Sequence, residues 1–320
     1  MTNPERDPAE IRAEAGDTTG HIQLVTPREV PLGGPRAMRV RRTLPARHRS
    51  LIGAWCFADH YGPDPVAETG GMSVAPHPHT GLQTVSWLFT GEIEHRDSAG
   101  NQAMVRPGEL NLMTAGRGIS HSEISTPDTR ELHGVQLWVA LPDDARDVGP
   151  GFDHYVPPVA DGDGWAAQVF LGSLLGQTSP VTTYTPLLGA EVTLAAGTRL
   201  DLDVESGFEH GVLVDHGAVD LDGQEVKPGE LAYAAPGCAS LVLTAHDDAR
   251  VIVLGGPPFG ESIVMWWNFV GRTHEEIVGY RDEWQAQITA AGIVDGRFGV
   301  VSDIPPIPAP PLPNARLRSR

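Results

Sequence analysis

Two short stretches of this sequence put donor side chains at a spacing that metal chemistry can use. The first is PHPHTG, Pro76 to Gly81, with His77 and His79 on either side of Pro78. The second is TAGRGISHSE, Thr114 to Glu123, in which His121 and Glu123 repeat the same i, i+2 relation. Side chains two apart on a strand point to one face, so each pair can aim both donors into one interior. Pro78 stiffens its link and removes only a backbone donor. Two facing pairs would supply three imidazoles and one carboxylate. That set has no thiolate, which disfavours a structural zinc site. It is the 2-His-1-carboxylate set with one further histidine, so Fe(II) leads, with Mn, Ni, Co and Cu open. Four protein ligands leave up to two octahedral positions for water, O2 or substrate.

Positioning such pairs requires strands, and the chain reads as β-rich. Short β-type runs are expected at Ala37–Leu44, Leu51–Phe57, Gln83–Phe89, Gln102–Val105, Leu110–Met113 and Val135–Leu141, with turns at YGPDP, RPGE and TAGRG. A second series follows PPVADGDG: Trp165–Leu171, Thr182–Tyr184, Glu191–Leu194, Arg199–Val204, Val212–Val214, Leu231–Ala234, Ser240–Leu243 and Arg250–Leu254. RPGELNLMTAG (Arg106–Gly116) and KPGELAYAAPG (Lys227–Gly237) share one pattern, which predicts a repeated β-barrel. Near the end, Thr273 can cap a helix, with Glu276 completing a capping box and Ile277, Tyr280, Trp284 and Ile288 at helical spacing. The tail IPPIPAPPLP reads as an extended surface strap. His133 reads as a core or capping residue. His210 and His216 flank a strand of the second half, without an HxH or HxE partner, and a second metal there is not expected.

The 320 residues include 41 acidic and 23 basic side chains, a formal net charge of −18. That balance argues against binding nucleic acid through phosphate contacts and against docking on an anionic membrane. Cys56 and Cys238 lie far apart in apolar segments and read as buried reduced thiols. The polar first twenty residues contain no signal-peptide core, and no apolar run approaches a spanning helix, so a soluble cytoplasmic protein is expected.

The sequence resembles the pirin family, which are bicupins. APHPHTGLQTVSWLFTGEIEHRDSAGN followed by VRPGELNLMTAGRGISHSE matches the family signature nearly continuously from about Gly70 to Glu123, and GGPPFGESIVMWWNFVGRTHEEI (Gly255–Ile277) matches its C-terminal region more weakly. The resemblance implies an all-β fold of two tandem cupin (jelly-roll-like) β-barrels with a C-terminal helix. The expected organisation is a flexible arm at 1–20, a metal-binding N-terminal cupin domain at 21–156, a C-terminal cupin domain without metal at 157–272, and a helix with a Pro-rich tail at 273–320. It also implies His77, His79, His121 and Glu123 as the metal ligands, and iron as the metal.

The resemblance further implies quercetin 2,3-dioxygenase activity. A flavonol-like aromatic substrate would bind through its 3-hydroxyl oxygen, with Glu123 as candidate proton acceptor and O2 opening the ring to carbon monoxide and a depside. The alternative it implies is an iron-dependent, redox-sensing regulator that binds a protein partner, with Arg117 in TAGRGIS as a candidate relay or a structural salt bridge. The general cupin pattern has a Glu four residues after the second His. Here that position is Gln83, which would remove one candidate base from the pocket. Leu112, Val135, Leu137 and Trp138 are candidate pocket walls, with core packing the leading role for any one of them.

Overall fold

A computed structural model describes residues 22–31, 38–289, 292–301 and 304–319. The expected arm at 1–20 and Ala37 lie outside the described residues. The first half of the chain builds a seven-stranded antiparallel sheet in the order Gly151–Tyr155, Leu110–Thr114, Leu82–Thr90, Glu131–Ala140, Trp55–Pro65, Arg39–Leu44, Arg28–Pro31. Against it lies a four-stranded sheet in the order Ser73–His79, Ile119–Ser125, Ile93–Asp97, Gln102–Val105. The second half repeats the plan. Its large sheet runs Gln23–Val25, Leu231–Ala234, Glu209–His216, Ala249–Gly256, Leu188–Leu194, Trp165–Leu171, Val159–Gly162. Its small sheet runs Arg199–Asp203, Ser240–Ala245, Val219–Leu221, Gln224–Val226. The PGEL repeat enters equivalent strands, Leu110–Thr114 and Leu231–Ala234. The fold is therefore all-β, two tandem jelly-roll-like barrels with a C-terminal helix. Gln23–Val25 precedes the first barrel in sequence yet pairs with Leu231–Ala234 of the second.

The two large sheets pack face to face, and strand alternation decides what they present. Val85, Trp87, Leu112, Val135 and Leu137 share a core with Phe170, Leu171, Leu213, Ile252 and Leu254 of the second barrel. Burying each such side chain stabilises by about 1.5–3 kcal/mol relative to leaving it exposed. Two tryptophans add directional ties across this face. Trp55 Nε1 donates to the carbonyls of Leu188 and Gly255, each at 3.2 Å, and Trp87 Nε1 donates to Glu191 Oε2 at 2.6 Å.

Several local expectations change. YGPDP is strand and not turn, because a bulge opposite Leu132 and Gly134 absorbs Gly62 and Pro63 within Trp55–Pro65. Thr182–Tyr184 forms no strand. Cys56 is buried, but Cys238 is exposed, since it sits in the turn after Leu231–Ala234. The helix spans His274–Gln287 with Thr273 as its cap, accepting from the Glu276 amide, while the Glu276 carboxylate reaches the Arg272 amide at 2.6 Å. The tail does strap the surface: the Ile307 amide donates to the Pro76 carbonyl at 2.8 Å, beside His77.

Candidate metal centre

The small sheet of the first barrel sets the donors. Ser73–His79 and Ile119–Ser125 pair antiparallel with His121 opposite His77, and Ile93–Asp97 flanks the other side with His95 opposite Glu123. A bulge between His121 and Glu123 adjusts the register on the Ser73–His79 side. All four expected donors are at most 1% exposed. His79 Nε2 and His121 Nε2 lie 3.1 Å apart, and the His77 ring is 4.3 Å from that of His121. His77, His79 and His121 place one nitrogen each within 4.8 Å of one another.

The outer contacts fix which nitrogen faces inward. His77 Nδ1 donates to the Ala75 carbonyl at 2.9 Å, and His79 Nδ1 donates to the Asn268 carbonyl at 3.1 Å. Both rings therefore turn bare Nε2 lone pairs to the centre, as metal-ligating histidines do. His77 Nε2 is buried with no hydrogen-bond partner among the described residues. Burial, reinforced by the neighbouring imidazoles, pushes all three histidines well below the ordinary imidazole value, so they are neutral donors at pH 7. Glu123 Oε1 accepts from Ser86 Oγ at 3.1 Å. A buried, thiolate-free set of neutral imidazoles with one carboxylate, and an orphaned inward nitrogen, suits a metal ion.

One residue of the site was missed in the sequence. His95 Nδ1 lies 3.3 Å from His121 Nδ1, and its Nε2 lies 3.4 Å from Asp97 Oδ2. Asp97 is itself held by Asn101 and the Ala99 amide. His95, His121 and Glu123 also have donor atoms mutually within 4.8 Å. The signal was present in EHRD, where His95 and Asp97 stand two apart like the other pairs.

Other expectations are corrected by alternation along Leu82–Thr90. Thr84 and Ser86 face the donors, while Gln83 faces the second barrel with Val85 and Trp87. Gln83 thus removes no base from the metal side. Its amide donates to Thr114 Oγ1 at 2.9 Å, and it lines an inter-barrel cleft of about 440 Å³ with Tyr155, Val181 and Tyr184. Leu112, Val135 and Leu137 belong to the inter-barrel core, so of the four expected walls only Trp138 faces the site. Trp138 stands edge-on to His79 at 5.2 Å and stacks on Phe57 at 4.0 Å, and Phe152 lies 4.9 Å from His95. Arg117 is exposed and makes no ion pair among the described residues; its carbonyl accepts from Arg297 at 3.0 Å. His133 is buried, as expected for a core residue, but in company described below.

Family models for the pirin domain and the pirin C-terminal cupin domain match residues 37–139 and 189–289. The chain belongs to the pirin family. It is 43% identical over 288 residues to a Pseudomonas aeruginosa protein named "Putative quercetin 2,3-dioxygenase", covering 90% of this chain and 91% of that one. It superposes with a TM-score of 0.86 on the crystal structure of a quercetin 2,3-dioxygenase from Acinetobacter baumannii, at 36% identity over 93% of this chain and 97% of that one. The Escherichia coli pirin YhhW, solved with nickel(II), shares the bicupin fold at a TM-score of 0.58 and 19% identity, covering 74% of this chain and all of that one. No described helix of this pirin is long and apolar enough to cross a membrane.

Proposed function

We propose that this pirin is an Fe(II)-dependent dioxygenase of the quercetin 2,3-dioxygenase type, with His77, His79, His121 and Glu123 holding the metal. The supporting observation is the convergence of inward Nε2 lone pairs whose Nδ1 atoms are tied to backbone carbonyls. The names of two relatives with the same two-barrel span favour a flavonol-like substrate and O2. When bound, the metal would supply Lewis acidity that lowers the pKa of a coordinated hydroxyl.

The chain's own residues do the remainder. Glu123 accepts the proton of the substrate 3-hydroxyl at its carboxylate, with Ser86 Oγ steadying Oε1 from 3.1 Å. The Asp97–His95 pair orients His121 from behind. Phe57, Trp138 and Phe152 supply flat apolar walls that fit an aromatic substrate and exclude water. Both oxygen atoms of O2 end in the depside, and one ring carbon leaves as carbon monoxide.

The test is anaerobic loading with Fe(II), then simultaneous recording of quercetin absorbance and O2 uptake beside His121→Ala. Coupled consumption in the parent and none in the variant is the expected result. Iron bound at one equivalent with no consumption would overturn the quercetinase assignment. Partner capture in each iron oxidation state would then examine the redox-responsive regulator.

A further inference from the structure

A second cluster of donors lies where the two barrels meet. His60 on Trp55–Pro65 and His133 on Glu131–Ala140 belong to neighbouring strands of the first barrel, and Asp215 comes from Glu209–His216 of the second. Their side chains are 1%, 10% and 2% exposed. Asp215 Oδ1 lies 2.7 Å from His60 Nε2 and 2.6 Å from His133 Nε2, and the two ring nitrogens are 3.4 Å apart. Phe89 stands edge-on to both imidazoles. His216, half exposed, places Nδ1 3.1 Å from Asp215 Oδ2 at the solvent side.

Hydrogen bonding alone leaves His60 in conflict. Its Nε2 is 2.7 Å from a carboxylate oxygen, which requires an N–H, and 3.2 Å from Arg41 Nη2, which requires a lone pair. One nitrogen cannot meet both demands, and Nδ1 of the same ring is buried without a partner among the described residues. A cation at the centre of the triangle would accept both Nε2 lone pairs and the carboxylate oxygen. Bonds of about 2.1 Å put neighbouring ligand atoms about 3.0–3.4 Å apart, so the two edges to Asp215 need to widen by a few tenths of an ångström. Two cations oppose the site: Arg41, which also donates to the Gly62 carbonyl at 2.6 Å, and Arg250, 3.6 Å from Asp215 Oδ2 and stacked on Phe89.

We propose that His60, His133 and Asp215 form a second metal site, for a divalent cation of the zinc, cobalt and nickel class, which staples the two barrels together. His216 holds the outer oxygen of Asp215 from the solvent side, water completes the coordination, and Arg41 gives way when the ion enters.

The test is titration of the chelator-stripped full chain with Co(II). Bound metal is counted after gel filtration, and the ligand field is read from visible absorption. The parent should take up two equivalents, and His77→Ala/His121→Ala should keep one with visible bands. His133→Gln and Asp215→Asn should each take up one equivalent less than the parent, and Arg41→Ala should bind the second ion several-fold more tightly. His133→Gln, at the rim, decides the matter if Asp215→Asn does not fold. A second equivalent unaffected by His133→Gln, or only one equivalent in the parent, would overturn the proposal.

Discussion

The two barrels share a strand order and differ in what fills them. His77 and His79 stand on Ser73–His79, whose counterpart is Arg199–Asp203, with Leu200 and Leu202 buried. His121 and Glu123 stand on Ile119–Ser125, whose counterpart Ser240–Ala245 buries Leu241, Leu243 and Ala245. His95 and Asp97 answer to Val219 and Leu221 on the third strand. One backbone thus encloses either a set of polar donors or an aliphatic core. The first barrel also buries the Arg42–Asp59 pair, bonded at 2.6 and 2.8 Å, and the Ser86–Gln136 contact at 3.0 Å. Leaving a buried polar group unmatched costs about 1–3 kcal/mol, so these contacts weigh on stability. In the second barrel the corresponding inward positions are aliphatic, and its buried polar groups include Asp215 at the seam and His210, whose two ring nitrogens have no partner among the described residues. The lesson is that topology supplies two equivalent frames, and side-chain chemistry at a few inward positions fills one of them with potential metal donors and the other with aliphatic groups.

That contrast can be broken at graded cost. The largest effect should come from His77→Ala/His121→Ala, which should abolish metal binding in the first barrel, whereas His210→Ala in the second should leave it intact; metal counting on purified chains reads both. His95→Ala keeps the ligands but removes their support, and should weaken metal affinity about 10–100-fold in a competitive chelator titration. In stability, Asp59→Ala removes the carboxylate from a buried guanidinium and should cost about 3–5 kcal/mol. Leu243→Ala in the aliphatic barrel should cost about 2–5 kcal/mol through its cavity. Urea unfolding at pH 7 measures both, and equal insensitivity of the two barrels would refute the contrast.

The acid limb sharpens the comparison. Burial lowers the His210 pKa to about 4, against about 6.5 in an unfolded chain. Between those values the unfolded chain binds the extra proton, so the stability associated with neutral His210 is kept above about pH 6.5 and lost as the pH falls towards 4. His210→Gln should therefore shrink the stability difference between pH 7 and pH 4.5 by ~2–3 kcal/mol. An unchanged pH slope would mean that His210 is not buried neutral. The smallest effect belongs to the helix over the first barrel, where Thr273→Ala removes a cap worth about 1 kcal/mol, visible as a lower melting temperature.

Much of this was legible in the chain. HxH and HxE on strands are local patterns, and the period of two places both members of each pair on one face whatever the rest of the fold does. Gln83, placed in the pocket by the general cupin pattern, lies on the other face. The tight turn at Thr80–Gly81 separates its strand from that of His79. Gly81 adopts φ +68°, and a Cβ there would meet the Val270 carbonyl at 2.3 Å, so the turn is shaped by a hairpin nearly 190 positions downstream. Leu112, Val135 and Leu137 are core, the role favoured for each, but the sequence did not say on which side, because the first barrel's large sheet is buried on both faces and apolar character does not distinguish them.

The sequence by itself determined the β-rich repeat, the capped helix and the two donor pairs, since each follows from spacing within a few residues. Only the tertiary structure decided that the Asn268 carbonyl anchors His79 across 189 positions, and that Asp215 reaches His60 and His133 from the other barrel. Such contacts depend on how two sheets pack and where strands register. No local pattern encodes that, because it is the sum of many buried contacts along the whole chain.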